Sequence, residues 1–303
     1  MSDPRLTPAN AHVVHDSLRD RFPELRAVSG VWARVLVPVA DLCASPGGGR
    51  ARQMLAGARF LTLDRQGNHV FGQAAYDGYV GWLGSDALCP DHGVTHRISA
   101  LASHIYPSAD MKTGPIGWLP HGAFVGAALN GGAGDAETSD VSASVDSSRQ
   151  GGGHASARHF LALHGGGYVP AQHLAPLTAA APDLVDEAMR FLGVPYLWGG
   201  NSPMGIDCSG LVQAAFRACG AACPGDSDLQ RATLGTVLDT GGTPQRGDLI
   251  FWDGHVGFCA GPDQLLHANA HHMAVTLENL SAACERIAAA GVGPVRAIRR
   301  LPI

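Results

Sequence analysis

The stretch GGNSPMGIDCSGLVQAAF, residues 199–216, sets one cysteine behind a glycine-rich turn and at the start of an apolar helical stripe. Cys208 is followed by Leu211, Val212, Ala215, Phe216 and Cys219, one face of a helix that Gly220 closes. A cysteine in the first turn of a helix meets unpaired backbone N–H groups and the positive end of the macrodipole. Both favour thiolate over thiol. The glycines and Asp207 permit a tight entry and the close approach of a substrate backbone. Asp207 itself fits either a helix cap or a substrate contact.

A nucleophilic thiol needs a base. Asp253-Gly254 is a two-residue hairpin turn between DLIFW and HVGFCA, and AGPD then returns the chain through QLLHA. With that second hairpin centred on Gly261, His255 and His267 lie directly opposite each other on one face. The second imidazole can then orient the first. A zinc site built from His255, His267, His271 and Cys208 is the rival reading. No close His-x3-His or Cys-x2-Cys pair supports it, and we expect no cofactor and no metal.

These residues need elements to hold them. From Val31 to Leu88 short apolar and β-branched runs alternate with turns, the texture of a small barrel or sandwich. The texture recurs: LAGARF (55–60) matches LPHGAFV (119–125), and GYVGWLGSDAL (78–88) matches GYVPAQHL (167–174). Two tandem β units follow, the second interrupted by the Gly/Ser/Asp-rich insertion 130–154, whose composition cannot bury a core. Thr7-Pro8 opens a short helix over 7–24, within an N-terminal helical segment 1–29. After the Pro/Ala stretch 174–182 come a helical run over 183–193, the helix at Cys208 and four strand-like runs, an α+β domain.

The bulk numbers narrow the partners. The chain has 303 residues, 46% hydrophobic and 16% charged, with net charge −5 and no Lys/Arg run. A nucleic-acid or anionic-membrane partner is not expected. Seven cysteines without a framework spacing, no signal-peptide core after Met1 and no membrane-length apolar run lead us to expect a cytoplasmic protein.

The segments GVPYLWGG…GIDCSGLV, GDLIFWDGHVGF and LLHA, in this order, resemble the NlpC/P60 cysteine peptidases over residues 183–300. The resemblance implies a papain-like core with Cys208 as nucleophile, His255 as base and His267 as polarising residue. Tyr196 would share the oxyanion with the Cys208 N–H. The upstream repeats resemble bacterial SH3 domains. The implied architecture is two small all-β SH3-like barrels, 30–92 and 93–176, followed by an NlpC/P60 domain, 177–303. This arrangement is similar to that of γ-D-glutamyl-L-diamino-acid endopeptidases of peptidoglycan recycling. Their substrates are murein tri- or tetrapeptides with a free N-terminal L-alanine. The resemblance assigns Asp207, Ser209 and Trp198 to the alanine pocket, which the first SH3-like domain closes with Tyr79 and, nearby, Asp77. The chain departs from the pattern at Ala58, where relatives carry an acid, and near Gly225, where they carry an arginine. An amidase or acyltransferase using the same Cys–His pair, and a non-catalytic wall-peptide binder, are the alternatives.

Overall fold

The computed structural model describes residues 3–128, 159–238 and 242–301. The insertion 130–154 lies outside them. Asp3 caps a 3-10 turn at Pro4–Leu6, and β1 (Val13–His15) pairs in parallel with β2 (Arg26–Val28) around a second 3-10 turn, Asp16–Arg21. This corrects the helix expected over 7–24. The adjacent β-branched Val13 and Val14 are both fully buried, and Val13 packs into a cluster with Leu61, Phe71 and Trp82. An extended segment buries such a pair with both side chains, while propensity favours a helix only weakly.

The first β unit contains β3 (Val31–Val35), β4 (Val39–Cys43), β5 (Arg50–Leu55), β6 (Arg59–Gln66), β7 (His69–Ala74), β8 (Val80–Gly84) and β9 (Leu88–Pro90). They form one sheet in the order β5-β4-β8-β7-β6-β3-β9 around a core that includes Val35, Leu42, Phe60 and Leu83. The second unit follows with β10 (His96–Ile98), β11 (Ala102–Ile105), β12 (Gly117–Pro120), β13 (Phe124–Val125), β14 (Ala127–Ala128), β15 (Phe160–Leu163), β16 (Tyr168–Pro170) and β17 (Leu174–Pro176). Its pairing repeats that of the first unit. β10 sits between β13 and β17 as β3 sits between β6 and β9; β11 pairs β12 as β4 pairs β5; β15 pairs β16 as β7 pairs β8. The glycines that revealed the repeat share one conformation: Gly57 and Gly122 have φ of 74° and 79°, Gly78 and Gly167 of 75° and 82°. A left-handed turn at each matched position requires glycine.

The C-terminal unit opens with α1 (Leu184–Met189), capped by Asp183, and a short pair, β18 (Asn201–Ser202) and β19 (Gly205–Ile206). Then come α2 (Cys208–Ala218), α3 (Ser227–Thr233), β20 (Thr236–Val237), β21 (Leu249–Trp252), β22 (His255–Gly261), β23 (Gln264–Asn269), β24 (Ala274–Asn279), α4 (Leu280–Ala289) and β25 (Ala297–Arg300). The sheet runs β20-β25-β21-β22-β23-β24. One face packs Phe251, Val256, Phe258 and Leu266 against Leu211, Val212 and Phe216 of α2; the other packs Ile250, Trp252 and Leu265 against Ala283 and Ile287 of α4.

Candidate active site

The entry to α2 is held by one carboxylate. Asp207 accepts from the Gly210 N–H (2.6 Å) and the Ser209 hydroxyl (2.9 Å) with Oδ1, and from the Gly199 N–H (2.9 Å) with Oδ2. Of its two readings from sequence, the cap is the one these bonds realise. Cys208 stands at the first helical position and is 7% exposed. The N–H groups of Val256, Ser209 and Cys208 itself face the sulfur, yet burial outweighs them and, with the Asp207 charge, pushes the thiol up to about 12. Burial thus opposes the thiolate that the helix terminus favours. Burial likewise pushes His255 down to about 3, helped by His267 and Arg286. A lone charge on either residue is therefore disfavoured by burial.

His255 is oriented by a chain of three further side chains. His255 Nε2 lies 2.7 Å from His267 Nδ1, and His267 Nε2 lies 2.6 Å from Glu278 Oε1, which Arg286 Nη2 also binds. A carboxylate only accepts, so His267 carries its proton on Nε2 and offers Nδ1 as acceptor. His255 then carries its proton on Nε2, and its Nδ1 is left bare to take a proton. Sequence reasoning missed Glu278 and Arg286. Leu265 faces Glu278 and His267 faces Thr276 across β23–β24, so Glu278 is diagonal to His267 on the same face.

The two histidines are not directly opposite, as the sequence reading expects. The β22–β23 ladder runs from Phe258↔Leu266 to Gly261↔Gln264 with a bulge after Cys259. Its turn is Pro262-Asp263, with Asp263 at φ 52°, rather than one centred on Gly261. The shift sets Gly257, not His255, across from His267, where a Cβ on Gly257 would come 3.0 Å from the His267 Cβ. A displacement of two keeps both rings on one face, because side chains alternate with period two. His255 shares that face with Trp252, their ring centroids 5.6 Å apart. The sulfur arrives from the α2 flank and takes the Val256 N–H, so it lies against the peptide joining His255 to Val256.

The other sequence-derived residues divide into two groups. Tyr196 stays beside the thiol: its phenol is raised by burial and by the Cys208 and Asp207 charges, so it remains an O–H donor. Trp198 is 70% exposed, an aromatic rim rather than a core side chain. Tyr79 and Asp77 sit in the junction between the first β unit and the C-terminal unit, with their polar atoms already bonded. The Tyr79 hydroxyl donates to Asp226 (3.1 Å), and Asp77 accepts from the Tyr79 N–H (3.1 Å) and Gln213 Nε2 (2.8 Å). The guanidinium that the resemblance leads one to expect near Gly225 is provided by Arg52 of β5, which binds the Gly225 carbonyl and Asp226.

Residues 193–288 match the NlpC/P60 family, and residues 42–88 match the bacterial dipeptidyl-peptidase Sh3 domain. The chain therefore carries a domain of the NlpC/P60 peptidase family behind a bacterial SH3 domain. A gamma-D-glutamyl-L-lysine dipeptidyl-peptidase of Bacillus subtilis (strain 168) is 39% identical over 97 residues, 29% of this chain and 32% of that protein. Dipeptidyl-peptidase 6 of Lysinibacillus sphaericus is 34% identical over 116 residues, 36% of this chain and 40% of that protein. The matched stretch is thus less than half of either relative. The crystal structure of an NlpC/P60 family protein from Bacillus cereus ATCC 10987 superposes with a TM-score of 0.67 at 19% identity. It covers 90% of this chain and 100% of that one, a likeness of fold.

Proposed function

We propose that this chain is a cysteine peptidase that hydrolyses the amide between γ-D-glutamate and a diamino acid in short murein peptides carrying a free N-terminal L-alanine. The observation that carries the reading is the oriented chain Arg286–Glu278–His267–His255, which leaves His255 Nδ1 bare, while the Cys208 sulfur at a helix tip takes the N–H of Val256, the next residue in the chain. The names of the dipeptidyl-peptidase relatives support the substrate class. Seven free cysteines support a reducing, cytoplasmic setting, as peptide recycling requires.

In this reading the Cys208 thiol gives its proton to His255 as sulfur attacks the γ-carbonyl. The oxyanion takes hydrogen bonds from the Tyr196 hydroxyl and the Cys208 N–H. Collapse breaks the C–N bond, and His255 returns the proton to the departing amine. Water then attacks the thioester, gives a proton to His255, and the thiol is restored. Trp198 and Ser209 border the alanyl end, with Asp207 behind them. The first SH3-like unit, whose Ala51 carbonyl lies against Gly199, closes the slot, and the second β unit is a further SH3-like domain.

Incubation with L-Ala-γ-D-Glu-diaminopimelate and mass spectrometry of the products tests this. Free L-Ala-D-Glu is expected, and none from a Cys208→Ala variant. Intact substrate, or the same yield from the variant, rejects it.

A further inference from the structure

Tyr196 is held by backbone bonds along both of its edges. On one edge it bridges Ile206, whose N–H donates to the Pro195 carbonyl (3.0 Å) and which leads directly into Asp207 and Cys208. On the other edge, residues 193–196 run along the start of β24. The Gly193 N–H donates to the Val275 carbonyl, the Val275 N–H to the Val194 carbonyl and the Tyr196 N–H to the Met273 carbonyl, each at 2.9 Å. The last of these bonds is made to a turn: residues 270–273 join β23 to β24 beyond the Asn269↔Ala274 pair.

That turn takes a conformation its sequence does not favour. Met273 has φ 52°, the left-handed region that a side chain enters at a cost, and it is 58% exposed, so packing does little to hold it there. Asn269, 5% exposed, closes the turn from inside. Its Oδ1 accepts from the His272 N–H (2.9 Å) and lies 3.0 Å from His272 Nδ1, and its Nδ2 donates to Thr276 Oγ1 (2.8 Å). A backbone N–H can only donate, which fixes the orientation of the amide. Thr276 faces His267 across β23–β24, and Asn269 stands two residues beyond His267, on the same face of β23. The side chain that ties down the turn beside Tyr196 thus shares a strand and a face with the imidazole that orients His255.

We propose that Asn269 is a positioning residue for the oxyanion donor. It fixes the 270–273 turn, whose Met273 carbonyl holds the Tyr196 backbone and so sets the reach of the phenol. The inference rests on the role given to Tyr196 in the proposed reaction.

Two measurements on the full chain test it, and the first needs no substrate. Amide hydrogen exchange followed by NMR should be at least about tenfold faster at Tyr196 in Asn269→Ala than in the wild type, and unchanged at Phe258 in the middle of the sheet. In turnover of L-Ala-γ-D-Glu-diaminopimelate, Asn269→Ala should lower kcat about tenfold with KM little changed, and Tyr196→Phe on the order of a hundredfold. The double variant should be no slower than Tyr196→Phe alone, because Asn269 acts through that hydroxyl. If Asn269→Ala does not fold, the isosteric Thr276→Val, which unties Asn269 Nδ2, replaces it in both measurements with the same expectations. Unchanged exchange at Tyr196, equal acceleration at Phe258, or losses that multiply in the double variant would each overturn the proposal. A wild-type chain that leaves the substrate intact rejects the proposed function instead, and exchange at Tyr196 then decides the role of Asn269 alone.

Discussion

At the residue scale, the protonation pattern of the two histidines is set from outside the pair. Glu278 accepts from both His267 and Arg286, and that fixes which nitrogen of each ring carries hydrogen. Two variants test this. His267 and Arg286 both bind the same oxygen, Oε1, so the amide oxygen of Glu278→Gln keeps both bonds and with them the tautomers, and turnover should fall by no more than about tenfold. Glu278→Ala removes the acceptor that fixes the tautomer, and turnover should fall on the order of a hundredfold with KM little changed. Equal losses in the two variants would show that the charge of Glu278, and not its acceptor oxygen, is what matters. Glu278 could not be read from the sequence, because AVTLE shows an acid on a strand without showing which strand residue it meets. Cys208 was legible from its local pattern, but the burial that opposes its ionisation was not: the helix tip is a local feature, while burial belongs to the assembled fold.

At the scale of elements, legibility followed how local the signal was. The Asp253-Gly254 hairpin forms as expected, with Trp252 paired to His255 and Gly254 at φ 72°. The next hairpin departs, because Asp263 adopts the left-handed conformation and the turn closes on Pro262-Asp263. Its carboxylate also binds Ser281 at the start of α4, a long-range anchor invisible in AGPD. α4 itself was not foreseen. The shift places Gly257 where β22 and β23 must approach closely: a methyl group on Gly257 would stand 2.7 Å from Leu265 Cδ1 and 3.0 Å from the His267 Cβ. Gly257→Ala should therefore spread the strand ends, lengthen the contact between the imidazoles and reduce kcat by roughly tenfold, with a protein that still folds. Unchanged kcat would mean that the strands yield without moving His267.

At the scale of the whole molecule, three imidazoles are held neutral by burial. Burial pushes His121, at the seam between the second β unit and α1, down to about 4, and His255 and His267 to about 3 and about 4. Each has a folded value below its unfolded one, near 6.5. The unfolded chain thus binds more protons below that pH, and stability present at neutrality is lost as pH falls toward 4. The slope should approach about 1.4 kcal/mol per pH unit for each histidine. Urea midpoints measured from pH 7 to pH 4.5 should fall steadily, and a flat profile would contradict the burial of these rings. The tandem repeat was legible at this scale from matched glycines, since a left-handed turn constrains residue type wherever it recurs. The packing of Arg52 into Gly225 and Asp226 was not, because nothing within β5 names its distant partners. The proposed reaction has sulfur as its attacking atom, and rapid quenching during incubation with L-Ala-γ-D-Glu-diaminopimelate, followed by mass spectrometry of the digested protein, tests that most directly. An L-Ala-γ-D-glutamyl group in thioester linkage is expected on the peptide bearing Cys208; product release with no acyl group on that peptide, and undiminished in Cys208→Ala, would contradict it.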